Sequence, residues 1–191
     1  MEDKELIRLS QSGNGEAFGQ LIERYKTKVF TLAYGVTRDR AAADDLAQEV
    51  FIKTYFALPK FKFQSEFGTW LYRIAVNHIK DFLRKNRSRQ KEVSLEDVSE
   101  SAVATEDRSY ESEQTGERRR ALVQAALKRL PEKHQVILAL RDMQGLSYEE
   151  ISRILGISPG TVDSRLHRAR RKLRGKLAVF IGRKGGGDEL Q

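Results

Sequence analysis

Apolar residues recur along this chain at spacings of three and four, which is the period of one face of an α-helix. Stripes of this kind cover most of the 191 residues, and the strict alternation of apolar and polar positions that marks a β-strand is almost absent. The pattern therefore predicts an all-α fold. The predicted helices span residues 17–36, 40–58, 67–87, 117–130, 132–141 and 148–155, with a last helix from Pro159.

Residues 92–117 interrupt the helical pattern. They are polar and without period, and nine of them are acidic whereas only Arg108 is basic. Because such a segment buries too little apolar surface to fold on its own, we predict a flexible acidic linker. The chain then divides into two helical domains, residues 1–91 and 118–180, followed by a flexible tail at 181–191.

Capping signals within residues 147–173, SYEEISRILGISPGTVDSRLHRARRKL, predict two helices joined by a tight turn. Ser147 and Glu150 have the spacing of a capping box, which starts a helix. Gly156 supplies the left-handed backbone that ends this helix, and the Ser-Pro pair that follows starts the next one. We therefore predict that the C-terminal domain contains a helix-turn-helix.

The second helix of this motif has two contrasting faces. Val162, Leu166 and Ala169 form an apolar back, whereas the opposite face carries hydroxyl and guanidinium groups suited to a DNA major groove. An αα-hairpin with merely solvated arginines is the alternative, but the two capping signals and the density of arginine favour DNA recognition. The polar face consists of Thr161, Ser164, Arg168 and Arg171.

The predicted helix over residues 67–87 has a second polar face. Among its side chains, Asn77 is the one able to read a base edge with two hydrogen bonds. Aromatic residues lie just before this helix and on it, and we expect Trp70 first among them to contact a base. Basic residues interleaved with aromatic rings suit single-stranded nucleic acid. The polar face consists of Arg73, Asn77, Lys80, Arg84 and Arg87, and the rings are Phe61, Phe63, Phe67 and Trp70.

The composition favours a polyanionic partner and argues against a catalytic or metal-binding role. The formal net charge is +8 and the pI is about 9.7. There is no cysteine, which excludes disulfides and thiolate metal sites, and the three histidines lie at no metal-ligand spacing. No phosphate-binding glycine loop or nucleophile motif occurs. We therefore predict no catalysis, metal, cofactor or small-molecule substrate.

The chain has no segment of the kind that enters a membrane. Its N-terminus is acidic and unlike a signal peptide. The longest apolar runs, such as residues 136–140, are far too short for a spanning helix. The sequence thus predicts a cytoplasmic protein.

Three segments together resemble the bacterial sigma factors of RNA polymerase. The resemblance is to the extracytoplasmic-function (ECF) group, which keeps only the region-two and region-four domains. It implies a protein that directs core RNA polymerase to specific promoters, typically in a stress response, and helps to open the −10 region. The segments are DDLAQEVFIKTY (44–55), FGTWLYRIAVNHIKDFLRK (67–85) and LPEKHQVILALRDMQGLSYEEISRILGISPGTVDSRLHRARRKLR (130–174).

The resemblance also implies a role for individual residues. In the family, the helix with the D-x-x-Q-E pattern docks on the largest polymerase subunit, and this pattern corresponds to Asp45, Gln48 and Glu49. The loop at 60–66 and the helix after it recognise and melt the −10 element, while the second helix of the helix-turn-helix reads the −35 element. The implied −10 residues are Lys60, Lys62, Trp70, Arg73, Asn77, Lys80 and Arg84, and the implied −35 residues are Thr161, Asp163, Ser164, Arg165, His167, Arg168 and Arg171.

Asp163 departs from the family pattern, in which this position is commonly basic. An acid repels phosphates, yet a carboxylate can also accept a hydrogen bond from cytosine N4. Alternatively, Asp163 points away from DNA and favours the positive N-terminal half of its helix.

The implied partners are core RNA polymerase, promoter DNA and an anti-sigma factor that holds the protein inactive. One alternative is a regulator whose N-terminal half senses a ligand or dimerises, which predicts duplex binding without polymerase. The other is an enzyme acting on nucleic acid, supported only by the basic and aromatic block at 60–91. The lack of clustered acidic residues argues against that enzyme.

Overall fold

The computed structural model describes residues 1–93 and 111–182 of the chain. These residues form eight α-helices and no strand, which confirms the predicted all-α class. A 3-10 turn at Leu58–Lys60 and a π-helical turn at Ala139–Met143 interrupt the α-helices. The helices are α1 (Asp3–Gln11), α2 (Gly15–Thr37), α3 (Arg40–Ala57), α4 (Phe67–Val93), α5 (Glu111–Lys128), α6 (Glu132–Leu138), α7 (Tyr148–Leu155) and α8 (Pro159–Gly182).

Helices α1 to α4 form an N-terminal module whose boundaries follow from local capping. The Asn14 side chain accepts a hydrogen bond from the Ala17 amide at 3.0 Å, and Asp39 accepts one from Ala42 at 3.1 Å. Each cap satisfies an amide that the first turn of its helix leaves free. The largest fully buried side chains of this module are Leu6, Ile7, Leu21, Leu32, Leu58, Leu71 and Ile79.

Helices α5 to α8 form a C-terminal module that contains the predicted helix-turn-helix as α7 and α8. The Ser147 amide donates to the Glu150 carboxylate at 2.7 Å, and the Glu150 amide donates to the Ser147 hydroxyl at 3.2 Å, which completes the capping box. These hydrogen bonds lower the pKa of the Glu150 carboxyl. Gly156 ends α7 with a φ of +64°. The predicted back of α8 is buried at Val162, Leu166 and Ala169.

The two modules pack against each other and share one continuous apolar core. Helices α2 and α4 contact α6, α7 and the π-helical turn. At Gly35 of α2, an added methyl group would lie 3.2 Å from the Ala139 Cβ and would overlap the Met143 sulfur. The close approach of α2 to the π-helical turn therefore depends on a residue without a side chain.

The structure differs from the sequence predictions at three places. Helix α1 was not predicted, because it is too short for a periodic stripe. Helix α4 runs to Val93 and α5 begins at Glu111, so both ends of the predicted linker over 92–117 are helical. Glutamate and glutamine favour a helix but create no apolar face, so the spacing of apolar residues does not reveal a helix rich in them. The predicted α-helix over 132–141 becomes π-helical at Ala139. Residues 94–110 of the linker and 183–191 of the tail lie outside the described residues.

Candidate nucleic-acid interface

The exposed face of α3 presents the residues of the D-x-x-Q-E pattern. Asp45, Gln48 and Glu49 are all exposed, and the Gln48 amide donates to the Asp44 carboxylate at 3.0 Å. Leu46, on the other side of the helix, belongs to the core. The predicted triad thus lies together on a surface rich in acceptors, which suits a basic partner.

The same face of α3 continues into an apolar patch that the sequence reading missed. Ile52 and Phe56 are 56% and 74% exposed, and Tyr55 beside them is also exposed. Ile52 lies four residues after Gln48, so helical spacing places it on the same face. A contiguous exposed apolar patch next to polar groups marks an interaction surface. We call Asp45, Gln48, Glu49, Ile52, Tyr55 and Phe56 the α3 face.

The loop between the 3-10 turn and α4 is anchored by the helix that was not predicted. The Gln11 side chain of α1 donates to the Leu58 carbonyl at 2.9 Å and to the Phe61 carbonyl at 3.0 Å. Lys60 and Lys62 remain exposed. The loop is therefore a positioned basic element, and Gln11 is a supporting residue that only the three-dimensional contact reveals.

Among the four aromatic rings of this region, Phe63 is the most open. It is 36% exposed, has a left-handed backbone with φ +58°, and lies 5.8 Å from the guanidinium carbon of Arg8. Phe61 and Phe67 are buried, and Trp70 packs on them with centroid distances of 4.8 and 5.8 Å. Arg8 covers one face of the Phe63 ring and Phe61 packs against it at a centroid distance of 5.1 Å, so it is the exposed part of the ring that makes Phe63 a candidate for base stacking beside Trp70.

Helix α4 presents the predicted −10 side chains in different environments. Asn77 is exposed, Lys80 is half-buried, and Arg84 pairs with Asp81 one turn away. Arg73 is engaged elsewhere: its Nε and Nη2 donate to the Arg153 carbonyl of α7 at 3.0 and 2.8 Å. Asn77 is thus free to contact DNA in this conformation, whereas the guanidinium of Arg73 is already bonded to the other module.

A histidine joins α4 to the α3 face. The Nε2 atom of His78 lies 2.6 Å from a carboxylate oxygen of Glu49, and the imidazole is largely buried. Helical spacing places His78 on the same side of α4 as Leu71, Ile74 and Ala75, which would suit a core residue. His78 instead contacts Glu49, a residue of the predicted polymerase-binding triad. Because His78 follows Asn77 on α4, this contact joins the helix that carries Asn77 to the α3 face.

The front of α8 is ordered by hydrogen bonds among its own residues. The Ser158 hydroxyl lies 2.8 Å from that of Thr161, and the Ser164 hydroxyl donates to the Thr161 carbonyl at 3.2 Å. Arg168 donates to both the carbonyl and the hydroxyl of Ser164, each at 3.1 Å. These bonds position the groups that the sequence assigns to base reading, which lowers the entropic cost of binding.

The remaining predicted −35 residues line the same helix. Asp163, His167 and Arg171 are exposed, and Arg165 is half-buried. Arg170, on the flank of α8, forms an ion pair with Asp142 at 2.7 Å and so ties the helix to the π-helical turn. Asp163 therefore points to solvent, where its carboxylate is available to a base or a phosphate.

We predict that the stability of the fold falls in mildly acidic solution because of His134. This side chain is 4% exposed, and burial together with the positive charges of Lys172 and Lys133 lowers the pKa of its imidazole. An unfolded histidine titrates at about 6.5, so the unfolded chain takes up the proton first. The free energy of unfolding should be constant above that pH and should decrease below it.

Chemical denaturation at pH values of about 7.5 and 5.5 measures this effect in the wild type and in His134→Leu. The variant should lose most of the pH dependence. His167→Gln, at an exposed histidine, is the matched control and should keep it. An equal loss of stability on acidification in His134→Leu would contradict the assignment.

The described residues contain no group of three or more side chains that could hold a metal ion. None of the helices in residues 1–93 and 111–182 is long and apolar enough to cross a membrane.

Family models match both modules. Residues 21–89 match the model described as Sigma-70 region 2, which covers α3, the basic loop and most of α4. Residues 120–173 match the model described as Sigma-70, region 4, which covers the helix-turn-helix.

Relatives match over almost the whole length. The RNA polymerase sigma-H factor of Pseudomonas aeruginosa is 38% identical over 88% of this chain and 90% of its own. The ECF RNA polymerase sigma-E factor of Escherichia coli is 37% identical over 96% of this chain and 98% of its own. The sigma factor RpoE of Bartonella quintana, solved with the anti-sigma factor NepR, is similar with a TM-score of 0.58 and 28% identity, covering 85% of this chain and 97% of that one.

Proposed function

Since the chain belongs to the extracytoplasmic-function sigma factors of RNA polymerase, we propose that three of its surfaces have separate roles in opening a promoter. The protein directs core RNA polymerase to specific promoters in transcription initiation, and its partners are that polymerase and promoter DNA. The observation that carries the proposal is the exposure of three chemically different surfaces on separate elements. They are the α3 face, the basic loop with Asn77, and the front of α8.

The α3 face docks on the polymerase. Its carboxylates and amide supply hydrogen-bond acceptors and charge for a basic surface, while Ile52 and Phe56 supply apolar area that is exposed in the free protein. An interface with an apolar centre and a polar rim is the usual arrangement of specific protein contacts. Charge then guides the encounter, and burial of the apolar side chains holds the complex.

The basic loop and α4 melt the −10 element. Unpairing a base costs a few kcal/mol, which stacking and base contacts must offset. Phe63 offers a ring for stacking, Lys60 and Lys62 offer charge for the backbone, and Asn77 offers a paired donor and acceptor. Because Gln11 fixes the loop before DNA arrives, little ordering remains to be done on binding.

The front of α8 reads the −35 element in the major groove. Arg168 is held by Ser164 with its guanidinium exposed, and a bidentate arginine–guanine contact discriminates by about 1–3 kcal/mol. Arg171 lies one turn further along and contacts phosphate, which orients the helix without reading sequence.

Three further properties complete the proposal. The protein acts in the bacterial cytoplasm, where its polymerase and promoters are. It has no catalytic activity of its own, since initiation chemistry belongs to the polymerase. An anti-sigma factor binds it, by analogy with the RpoE–NepR complex.

In vitro transcription with core RNA polymerase, coupled to mapping of start sites, tests the function. Addition of the protein should give transcripts from promoters that share two elements upstream of the start. Core polymerase alone is the control. Sequence-specific duplex binding without any promoter-dependent transcript would instead indicate an ordinary regulator.

We predict that Arg168→Ala weakens binding to a −35 duplex by roughly 5- to 100-fold and relaxes preference at one base pair. Electrophoretic mobility shift with a set of single-base substitutions measures both effects. Lys176→Ala, further along α8, is the matched control and should leave the preference unchanged. An Arg168→Ala variant with the sequence preference of the wild type would remove this residue from the base-reading set.

A further inference from the structure

Helix α1 is fixed against the rest of the N-terminal module at both of its ends. At its start, the Asp3 carboxylate pairs with Arg24 at 2.7 Å and accepts a hydrogen bond from the Tyr25 hydroxyl. At its end, the Gln11 amide donates to two backbone carbonyls at the entry to the basic loop. Because both ends are held, the side chains that α1 directs at the loop have a defined position before any partner binds.

Arg8 is the cation that α1 directs at the loop. It lies three residues before Gln11, and this spacing places both side chains on the same side of the helix. Arg8 is exposed, and its guanidinium carbon lies 5.8 Å from the centroid of the Phe63 ring. A guanidinium group therefore stands over the ring that the loop offers to an unpaired base.

The charge of Arg8 is not neutralised by a carboxylate. None of the ion pairs within residues 1–93 and 111–182 includes Arg8, whereas Arg24 on the neighbouring helix is paired with Asp3. Lys60 and Lys62 of the loop are exposed as well. Three cations thus lie on or beside the loop that carries the ring, and such a concentration of positive charge attracts phosphate.

A base that stacks on Phe63 brings a phosphate close to Arg8. The ring offers its exposed part to the base, because Arg8 covers one of its faces. The sugar joins this base to its own phosphate, which then lies at the rim of the ring within reach of a long arginine side chain. Guanidinium binds phosphate with two parallel hydrogen bonds, and the contact with the ring already orders the group in the free protein.

We propose that Arg8 binds the phosphate of the nucleotide whose base the loop unpairs, which makes α1 a part of the −10 site. This role rests on the proposed function, because it takes the loop and Phe63 to hold an unpaired base. Helix α1 lies outside residues 21–89 that match the region-2 model, and Arg8 is absent from the −10 residues that the sequence implied. A phosphate contact holds the strand in register and leaves the reading of bases to Asn77.

A scan of single phosphates tests the contact. The probe is a promoter fork, taken from the mapped start sites, in which the −10 strand is unpaired and one phosphate at a time is replaced by a neutral methylphosphonate. Binding of the full-length protein in complex with core polymerase is measured by fluorescence anisotropy. One replacement should weaken the wild type by roughly three- to tenfold and should not weaken Arg8→Gln any further, because the variant has already lost the partner of that phosphate.

The dependence on salt provides a second readout on the unmodified fork. Loss of one phosphate contact on a single strand lowers the slope of log affinity against log salt concentration by about 0.7, which is the change expected for Arg8→Gln. Lys4→Gln is the matched control, since it removes the same charge from an exposed position one turn earlier on α1. This control should keep the slope of the wild type and its response to every methylphosphonate.

The outcomes separate the role of Arg8 from the function itself. If Arg8→Gln binds the fork more weakly but responds to every methylphosphonate as the wild type does, Arg8 only supports the ring of Phe63 and the phosphate contact is refuted. Equal losses in Lys4→Gln and Arg8→Gln would refute it too, because they would show a general effect of charge. A wild-type complex that binds the fork no better than core polymerase alone would instead overturn the proposed function.

Discussion

Replacing Asn77 with alanine should slow promoter opening by roughly 10- to 100-fold and leave the affinity for core polymerase unchanged. The side chain is exposed on α4, the helix that follows the basic loop, so its removal disturbs no packing. A bidentate amide–adenine contact contributes about 1–3 kcal/mol, and each 1.4 kcal/mol corresponds to about tenfold in rate or affinity. Stopped-flow fluorescence of a probe in the −10 region measures the opening rate.

A promoter whose −10 region is already mismatched provides the control for Asn77→Ala. The variant should recover most of its activity on this template, because the cost of unpairing has been removed. Core affinity, measured by fluorescence anisotropy, should equal that of the wild type. A loss of core affinity as large as the loss in opening rate would show that Asn77 does not act at the DNA.

The double variant Ile52→Ala with Phe56→Ala should weaken binding to core polymerase by about 100-fold or more. Both side chains are more than half exposed, so their truncation costs the free protein little. Large apolar side chains buried at the centre of an interface contribute about 2 kcal/mol or more each when truncated. Titration of labelled core polymerase with the variant, at one ionic strength, gives the dissociation constant.

Gln48→Ala with Glu49→Ala is the matched comparison on the same face. A polar rim mainly affects the association rate, so this variant should lose only about tenfold in affinity, and more at low salt than at high salt. The apolar variant should show the same loss at both salt concentrations. Equal affinity of Ile52→Ala with Phe56→Ala and the wild type would mean that the apolar patch faces another partner.

The elements that the sequence predicted best are those governed by local rules. The capping box of Ser147 and Glu150 and the left-handed Gly156 both appear where the residues indicated. Each depends on contacts within about four residues, which the sequence displays directly. The apolar back of α8 was predicted for the same reason, since a helix carries its own period.

The features that were missed depend on contacts between distant residues. Gln11 reaches the loop across about fifty positions of sequence, and Gln144 reaches Lys28 across more than a hundred. His78 has the spacing of a core residue, yet Glu49 on another helix gives it a charged neighbour. Arg73 has the spacing of a DNA contact, yet the packing of the modules brings the carbonyl of Arg153 to it first.

The left-handed backbone of Phe63 implies a conflict between the stability of the protein and its activity. A residue with a Cβ pays about 1 kcal/mol for this conformation, and glycine pays almost nothing. Phe63→Gly relieves this strain, which offsets part of the loss of a ring that packs against Phe61, so its unfolding temperature should fall less than removal of the ring alone would cause, while its opening of duplex promoters should fall sharply. A screen that selected only for thermal stability would therefore underrate the loss, because the relieved backbone strain conceals part of the cost of removing the ring that stacks on the base.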